Sequence, residues 1–307
     1  MLKLALRRVA ALIPTLLIIV TVSFAIIRLA PGGPFDEEQG VSPAVRANLD
    51  RLYGLDQPLP VQYLRYLRAL AHGDFGPSLR QRDFTVSELI GQGLPLSATL
   101  GLCAIAVALM AGIPAGIAAA SWRGPGADLA VAAIGALGVA LPSFVIGPLL
   151  ALVFGIHLRW LPVAGWQPGA PRYLVLPVLT LALPLAAALA RLTRASLLEV
   201  LRAPFVRSAR ARGLGEARVV WHHALRPALL PVASYLGPAI AFLVTGSLVV
   251  EAVFGLPGTG RYLVQGAIDR DYPLVMGMII VYGALTLLLN LCADLACGWL
   301  DPGTRRE

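Results

Sequence analysis

FVRSARARGLGEARVVWHHALRPALLP, residues 205–231, carries five arginines, two adjacent histidines and a glutamate between two strongly apolar runs. Glycine punctuates it. A short helix over about Phe205–Arg212 is expected to stop at Gly213, where a left-handed cap turns the chain sharply. Gly215 then precedes a second helical run, EARVVWHHAL, which ends before Arg226–Pro227 because the residue ahead of a proline disfavours helix. Ala209 and Ala211 keep the first helix slim, so that another surface can approach it closely. The charge alone is compatible with nucleic acid, with lipid phosphates or with a solvated loop, and the surrounding chain decides among them.

That chain is 307 residues long, 57% hydrophobic and only 14% charged. A soluble protein carries about 25% charged residues. The composition is that of a chain solvated by lipid, so helical spans are the unit to count. Lys3 is the sole lysine, and the net charge of +8 comes almost wholly from arginine. In a membrane chain, arginine-rich cytoplasmic loops account for such a charge without nucleic acid, which is not expected as a partner. Cys103, Cys292 and Cys297 all fall in apolar runs and make no Cys-x-x-Cys pair, so they are expected to be small buried apolar residues.

Six apolar segments are long enough to cross a bilayer: about Val9–Leu29, Ser97–Ala120, Leu129–Gly155, Tyr173–Ala190, Leu229–Val250 and Leu274–Cys297. The fold expected is all-α, a polytopic membrane protein with six transmembrane helices. Tyr173–Ala190 is the shortest and holds Pro177 and Pro184. The first segment follows Lys3, Arg7 and Arg8 as a signal peptide would, but its apolar run is longer than a signal core, and an uncleaved helix is expected. With the N-terminus inside, the inside segments hold 14 Lys and Arg against four in the two short outside loops. The positive-inside rule therefore puts both termini and the 205–231 stretch in the cytoplasm. Two regions follow: 1–96, the first span with an extracytoplasmic segment, and 97–307, a five-helix core with a cytoplasmic loop over about 191–228.

The extracytoplasmic segment contains two readable helices. One is capped by Ser42 and Pro43, runs through AVRANLDRLY and stops at Gly54. The other, VQYLRYLRAL, puts Val61, Leu64, Leu67 and Leu70 on one face. Leucine–proline pairs recur at Leu141–Pro142, Leu161–Pro162, Leu176–Pro177 and Leu183–Pro184, as kinked helices around a path would require or as proline-tolerant spans allow.

The chemistry that is missing narrows the function. A phosphate-binding loop needs a lysine after its glycines, and Lys3 has no such context. Ion-coupled transporters place carboxylates inside their spans, whereas here Glu251 and Asp294 fall near span ends and are expected at interfaces. No G-x-S-x-G or H-E-x-x-H motif occurs, and the adjacent His222 and His223 point to different helix faces, so no metal site is expected. A membrane path without an engine of its own is left, with a basic loop where an engine can attach. An ion-coupled secondary transporter remains the alternative of a different class.

At ARARG (Ala209–Gly213) and HALRPALLP (His223–Pro231) the chain resembles the permease subunits of bacterial ATP-binding-cassette importers in the dipeptide/oligopeptide/nickel branch. RLAPGGP (Arg28–Pro34), YGLDQPLPVQYLRYL (Tyr53–Leu67), GDFGPSL (Gly73–Leu79), VFGLPGTGRYLVQGAIDRDYP (Val253–Pro273) and ADLACGWLDPGTR (Ala293–Arg305) are similar to further segments of that family, in order. One departure is visible. The family's cytoplasmic motif begins Glu-Ala-Ala, and this chain has Arg207, Ser208 and Ala209 there, so no role of that glutamate carries over.

The resemblance implies a type I importer permease fold and a non-catalytic subunit in the bacterial inner membrane. It also implies a second permease subunit, more often a related chain than a copy, two ATPase subunits that bind ATP and Mg, and an extracytoplasmic solute-binding protein. The coupling helix that sits in the ATPase would comprise Phe205, Ala209, Arg210, Ala211, Arg212, Gly213 and Leu214. The last outside loop, with Phe254, Pro257, Gly258, Gly260, Arg261 and Asp271, would face the binding protein or act as a gate. Ser143, Thr245 and Ser247 are candidates for the path, although hydroxyls in spans also bond their own backbone. The branch implies peptides as solutes first, with nickel or another small solute as the alternative.

Overall fold

The computed structural model describes residues 2–29, 54, 56–81, 83–121, 141–245 and 248–300. Among them the regular structure is helical, apart from one isolated bridge between Pro77 and Thr85. The helices are α1 (Leu2–Leu29), α2 (Leu59–Ala71), α3 (Val86–Ser121), α4 (Ser143–Leu150, continued by a π-helical turn over Ala151–His157), α5 (Arg172–Val200) and α6 (Pro204–Ala211). Then come α7 (Glu216–Arg218), a π-helical stretch over Val219–Ala224, α8 (Leu225–Ala228), α9 (Leu230–Thr245), α10 (Leu248–Phe254), α11 (Thr259–Ile268) and α12 (Tyr272–Leu300).

Among the described residues, four helices are long and apolar enough to cross a membrane: Ala10–Leu29 within α1, α3, α5, and Tyr272–Ala293 within α12. Ser143–His157 and Leu230–Ala241 are shorter apolar helices at the places of the third and fifth expected spans. The start of that third span lies outside the described residues, as does the helix expected after Ser42. The fourth segment, expected to be the shortest, is instead 29 residues of helix. Hydropathy measures only the lipid-embedded stretch, whereas backbone bonding carries α5 on through Arg191 and Arg194 to Val200. Pro177 and Pro184 both lie inside α5, while Pro142 precedes α4 as its cap residue.

The chain divides into two compact units. The first comprises Met1–Val9, Ser97–Leu256 and Leu285–Glu307. Within it α3 meets α5 backbone to backbone. A Cβ on Gly112 would lie 2.6 Å from the Ala186 carbonyl oxygen, and one on Gly116 2.6 Å from that of Ala190. This is small-residue packing at Gly-x-x-x-Gly spacing, the means by which helices associate where lipid offers no hydrophobic drive. Gly237 of α9 approaches Ala293 of α12 in the same way.

Glu251, expected near a membrane interface, is enclosed by the protein itself. Its side chain is 1% exposed, and its Oε1 accepts a 2.7 Å hydrogen bond from Ser97 Oγ, itself buried. A carboxylate enclosed in an apolar unit is costly unless bonded, and Ser97 supplies a donor. Cys103 and Cys292 also differ from expectation, for both are exposed on their helices. The outward face of a span is itself apolar, so a small apolar side chain is at home there too.

The second unit comprises Ala10–Leu96 and Pro257–Ala284. Its core is Val86, Leu89 and Ile90 of α3 against Leu274 and Met278 of α12. Two tight approaches support it: Gly277 against Val86 and Gly93 against the backbone of Thr259. The expected apolar face of α2 is only partly enclosed, with Leu67 and Leu70 half-buried. Val61 and Leu64 are exposed, and the buried position is Gln62, whose amide donates to the Gln57 carbonyl at 2.7 Å. Tyr63 anchors another side of α2. It stacks edge-on against Phe24 of α1 at 5.3 Å and shares a 2.6 Å hydrogen bond with Thr21.

Candidate coupling element and translocation cavity

The 205–231 stretch folds as its glycines require. Ala203, extended, leads into Pro204 at the first position of α6, where a missing N–H costs nothing. At the other end Gly213 takes φ +81°. Its N–H donates to the Arg210 carbonyl at 2.9 Å, and the Leu214 N–H reaches back to that of Ala209 at 3.4 Å. These two bonds form a Schellman stop, which satisfies carbonyls that a helix end leaves open.

The side chains divide cleanly. Val206 and Ala209 are buried in one cluster with Ala120 of α3, Leu197 and Leu201 at the end of α5, and Val219, Ala224 and Ala228 beyond the turn, and Leu214 packs against it. Ala209 therefore faces the molecule's own interior, not an approaching partner. The outward face carries Phe205, half exposed, with Arg207, Ser208, Ala211, Arg212 and Gly213. Arg210 turns back along the chain: its guanidinium grips the Glu216 carboxylate through Nε at 2.7 Å and Nη2 at 3.1 Å, and Nη1 donates to the Leu201 carbonyl at 3.3 Å. It staples α6 to α7 across the Gly213 turn.

The loop expected to face a binding protein is mostly enclosed. Phe254, 1% exposed in the first unit, packs over Gly147 of α4. In the second unit Gly258 and Gly260 are buried, and Pro257 is half-buried. Asp271 is fully buried, where its carboxylate accepts from Ser78 Oγ, from the Arg80 N–H and, at the start of α12, from the Leu274 N–H. It is an internal brace. Arg261 alone of this group presents an exposed side chain.

Ser143 opens α4 and lines a cavity of about 510 Å³ walled by α5, α9 and α10. Thr180, Pro184, Tyr235 and Pro238 line the same space. Thr180 Oγ1 is spent on the Leu176 carbonyl at 2.8 Å, whereas Tyr235 is exposed. Sequence reasoning missed Tyr235; a lone tyrosine three residues before a proline in an apolar span was the available signal. The side chain of Thr245 and the whole of Ser247 lie outside the described residues. Among the described residues, no three His, Cys, Asp or Glu side chains gather as metal ligands.

A cavity walled by proline-bearing apolar helices and a capped basic helix invite comparison with known membrane paths. Residues 112–306 match the family described as "Binding-protein-dependent transport system inner membrane component", and residues 1–83 match its N-terminal companion. The chain belongs to this family. It is a permease of the dipeptide/oligopeptide branch of ATP-binding-cassette importers and a multi-pass inner membrane protein. The permease is 47% identical over 305 residues to the oligopeptide transport system permease protein OppB of Salmonella typhimurium, covering 99% of this chain and 100% of the relative. It is 39% identical to the dipeptide transport system permease protein DppB of Bacillus subtilis, over 96% of each chain. To the glutathione transport system permease protein GsiC of Salmonella paratyphi A it is 37% identical, over 99% of each.

Proposed function

We propose that the permease forms half of the membrane path for di- or oligopeptides in an ATP-driven importer, and that α6 receives the motion of an ATPase subunit. The observation that carries this is the two-sided character of α6. One side is buried with α3 and α5, and the other offers Phe205, Ser208 and Arg212 beyond a hard glycine stop. The apolar segments and the arginine bias support six spans with both termini cytoplasmic, and the family supports a type I arrangement of them. A second permease closes the path around the Ser143–Tyr235 cavity. Two ATPase subunits hold ATP and Mg, and a solute-binding protein delivers the solute from the opposite face. The likeness to a permease named for glutathione favours, as a second reading, a tripeptide-like solute.

The test is purification of the full chain from its native membrane, followed by uptake in proteoliposomes. An ABC ATPase and a solute-binding protein are expected to co-purify, and labelled tripeptide is expected to enter only with ATP. Uptake by this chain alone without ATP would assign a secondary transporter instead.

A further inference from the structure

The second unit encloses a cavity that transport leaves unexplained. It measures about 200 Å³ and lies among Phe24 and Arg28 of α1, Arg65 and Tyr66 of α2, and Tyr272 at the start of α12. Arg28 Nε and Tyr66 Oη are both buried, and neither has a hydrogen-bond partner among the described residues. Arg28 lies over the Phe24 ring at 5.5 Å, and Arg65 is held at one nitrogen by Gln57 Oε1. Among the described residues no carboxylate forms an ion pair with either guanidinium. Among the described residues, two cations and a phenol thus line this space and no carboxylate does. A buried donor left unpaired is costly, so a site that keeps two of them is built for an acceptor brought from outside.

Position names the acceptor. Ala10–Leu29 is 20 residues of apolar helix, about 30 Å by helical rise and equal to the hydrocarbon thickness of a bilayer. Arg28, next to its end, therefore stands at headgroup level, where phosphates lie. On α1 the residues Val22, Ile26 and Leu29 are exposed and apolar, as a lane for acyl chains would be. On α2, Leu64 is exposed beside Arg65. We infer that the cavity binds the phosphate of a phospholipid from the leaflet at the C-terminal end of α1, held by the guanidiniums of Arg28 and Arg65 and by the Tyr66 hydroxyl. Burial also pushes the Tyr66 phenol above its usual range, so the hydroxyl keeps its proton and donates it.

The test uses the full chain, extracted in mild detergent, washed free of loose lipid and offered phosphatidylglycerol. Native mass spectrometry is expected to find one lipid that survives washing, with an apparent affinity lowered roughly tenfold or more in Arg28→Gln and in Tyr66→Phe. Arg28→Lys is expected to recover part of it, since Lys holds phosphate as a point charge. Tyr66→Phe keeps the ring, so its packing survives where a larger change fails to fold. Millimolar inorganic phosphate is expected not to displace the lipid. An unmutated chain that retains no phospholipid, or Arg28→Gln and Tyr66→Phe chains that retain as much as the unmutated one, overturns the inference. Equal displacement by inorganic phosphate overturns it too and reassigns the cavity to free anions.

Discussion

Ser97 Oγ donates a 2.7 Å hydrogen bond to Glu251 Oε1 across 154 residues of sequence, and both side chains are about 1% exposed. Removing the donor leaves a buried carboxylate under-bonded, which costs about 1–3 kcal/mol. Ser97→Ala is expected to lower the unfolding midpoint of the full chain in detergent. Glu251→Gln keeps an acceptor for Ser97 and is expected to cost less than Glu251→Ala, which leaves a void as well. Equal midpoints for Ser97→Ala and the unmutated chain would show that the bond contributes nothing to the folded state.

The contact of Gly112 with α5 predicts a steep size dependence. Gly112→Ala brings a Cβ to within 2.6 Å of a backbone oxygen that no rotamer change can move. Overpacking of this kind costs about 1–3 kcal/mol, and Gly112→Val more than Gly112→Ala. The same Ala substitution at Gly91, whose Cβ position is open, is expected to be close to neutral or mildly stabilising. Thermal unfolding of the two Ala variants side by side decides this.

Gly213 makes a conformational prediction, not a steric one. No atom lies within 4 Å of a Cβ built there, but φ is +81°. A left-handed residue other than glycine costs about 1–2 kcal/mol, and asparagine tolerates the region best. Transport driven by ATP is expected to fall in the order unmutated, Gly213→Asn, Gly213→Ala by conformation, and to fall furthest in Gly213→Asp because it adds a negative charge to the basic outward face, with chain levels in the membrane unchanged. Normal uptake by Gly213→Asp would remove α6 from the coupling route.

Phe205 and Arg210 separate docking from stapling. Phe205 is half exposed, so Phe205→Ala is expected to weaken ATPase retention on purification by about tenfold while the unfolding midpoint stays put. Arg210 is engaged with Glu216 and Leu201, and Arg210→Ala is expected to act on stability instead, by no more than about 1 kcal/mol for so exposed a pair. The reverse pattern would make Arg210 the docking residue.

Tyr66 sets a pH limit. Burial raises its pKa above the unfolded value of 10.0, so between those two values the folded chain holds a proton that the unfolded chain has lost. Stability is therefore complete below about pH 10 and declines as pH rises through the window above it. Unfolding midpoints of Tyr66→Phe are expected to decline less over that window than those of the unmutated chain.

The residues explain which of these features sequence reasoning could reach. Gly213 was readable because a left-handed stop has a one-residue signature. The inward aim of Ala209 was not inferred, although Val206 three residues earlier marks the same helical face. Glu251 gave no sign of enclosure, since its partner Ser97 is remote in sequence. Gly112 and Gly116 have the spacing of a packing motif, which is legible in the sequence, but the helix they meet is not. On α2, hydrophobicity pointed to Val61 and Leu64, but aromatic and amide contacts of Gln62 and Tyr63 set the orientation. Periodicity ranks faces by transfer free energy and is blind to such specific bonds.

Val206 and Ala209 share their cluster with Ala120 and Leu197. Interiors of this kind are packed as densely as organic crystals and scarcely compress. A push on the outer face of α6 thus meets no cushion. It reaches the C-terminal ends of α3 and α5 without backlash, as displacement instead of deformation, from the first increment of travel.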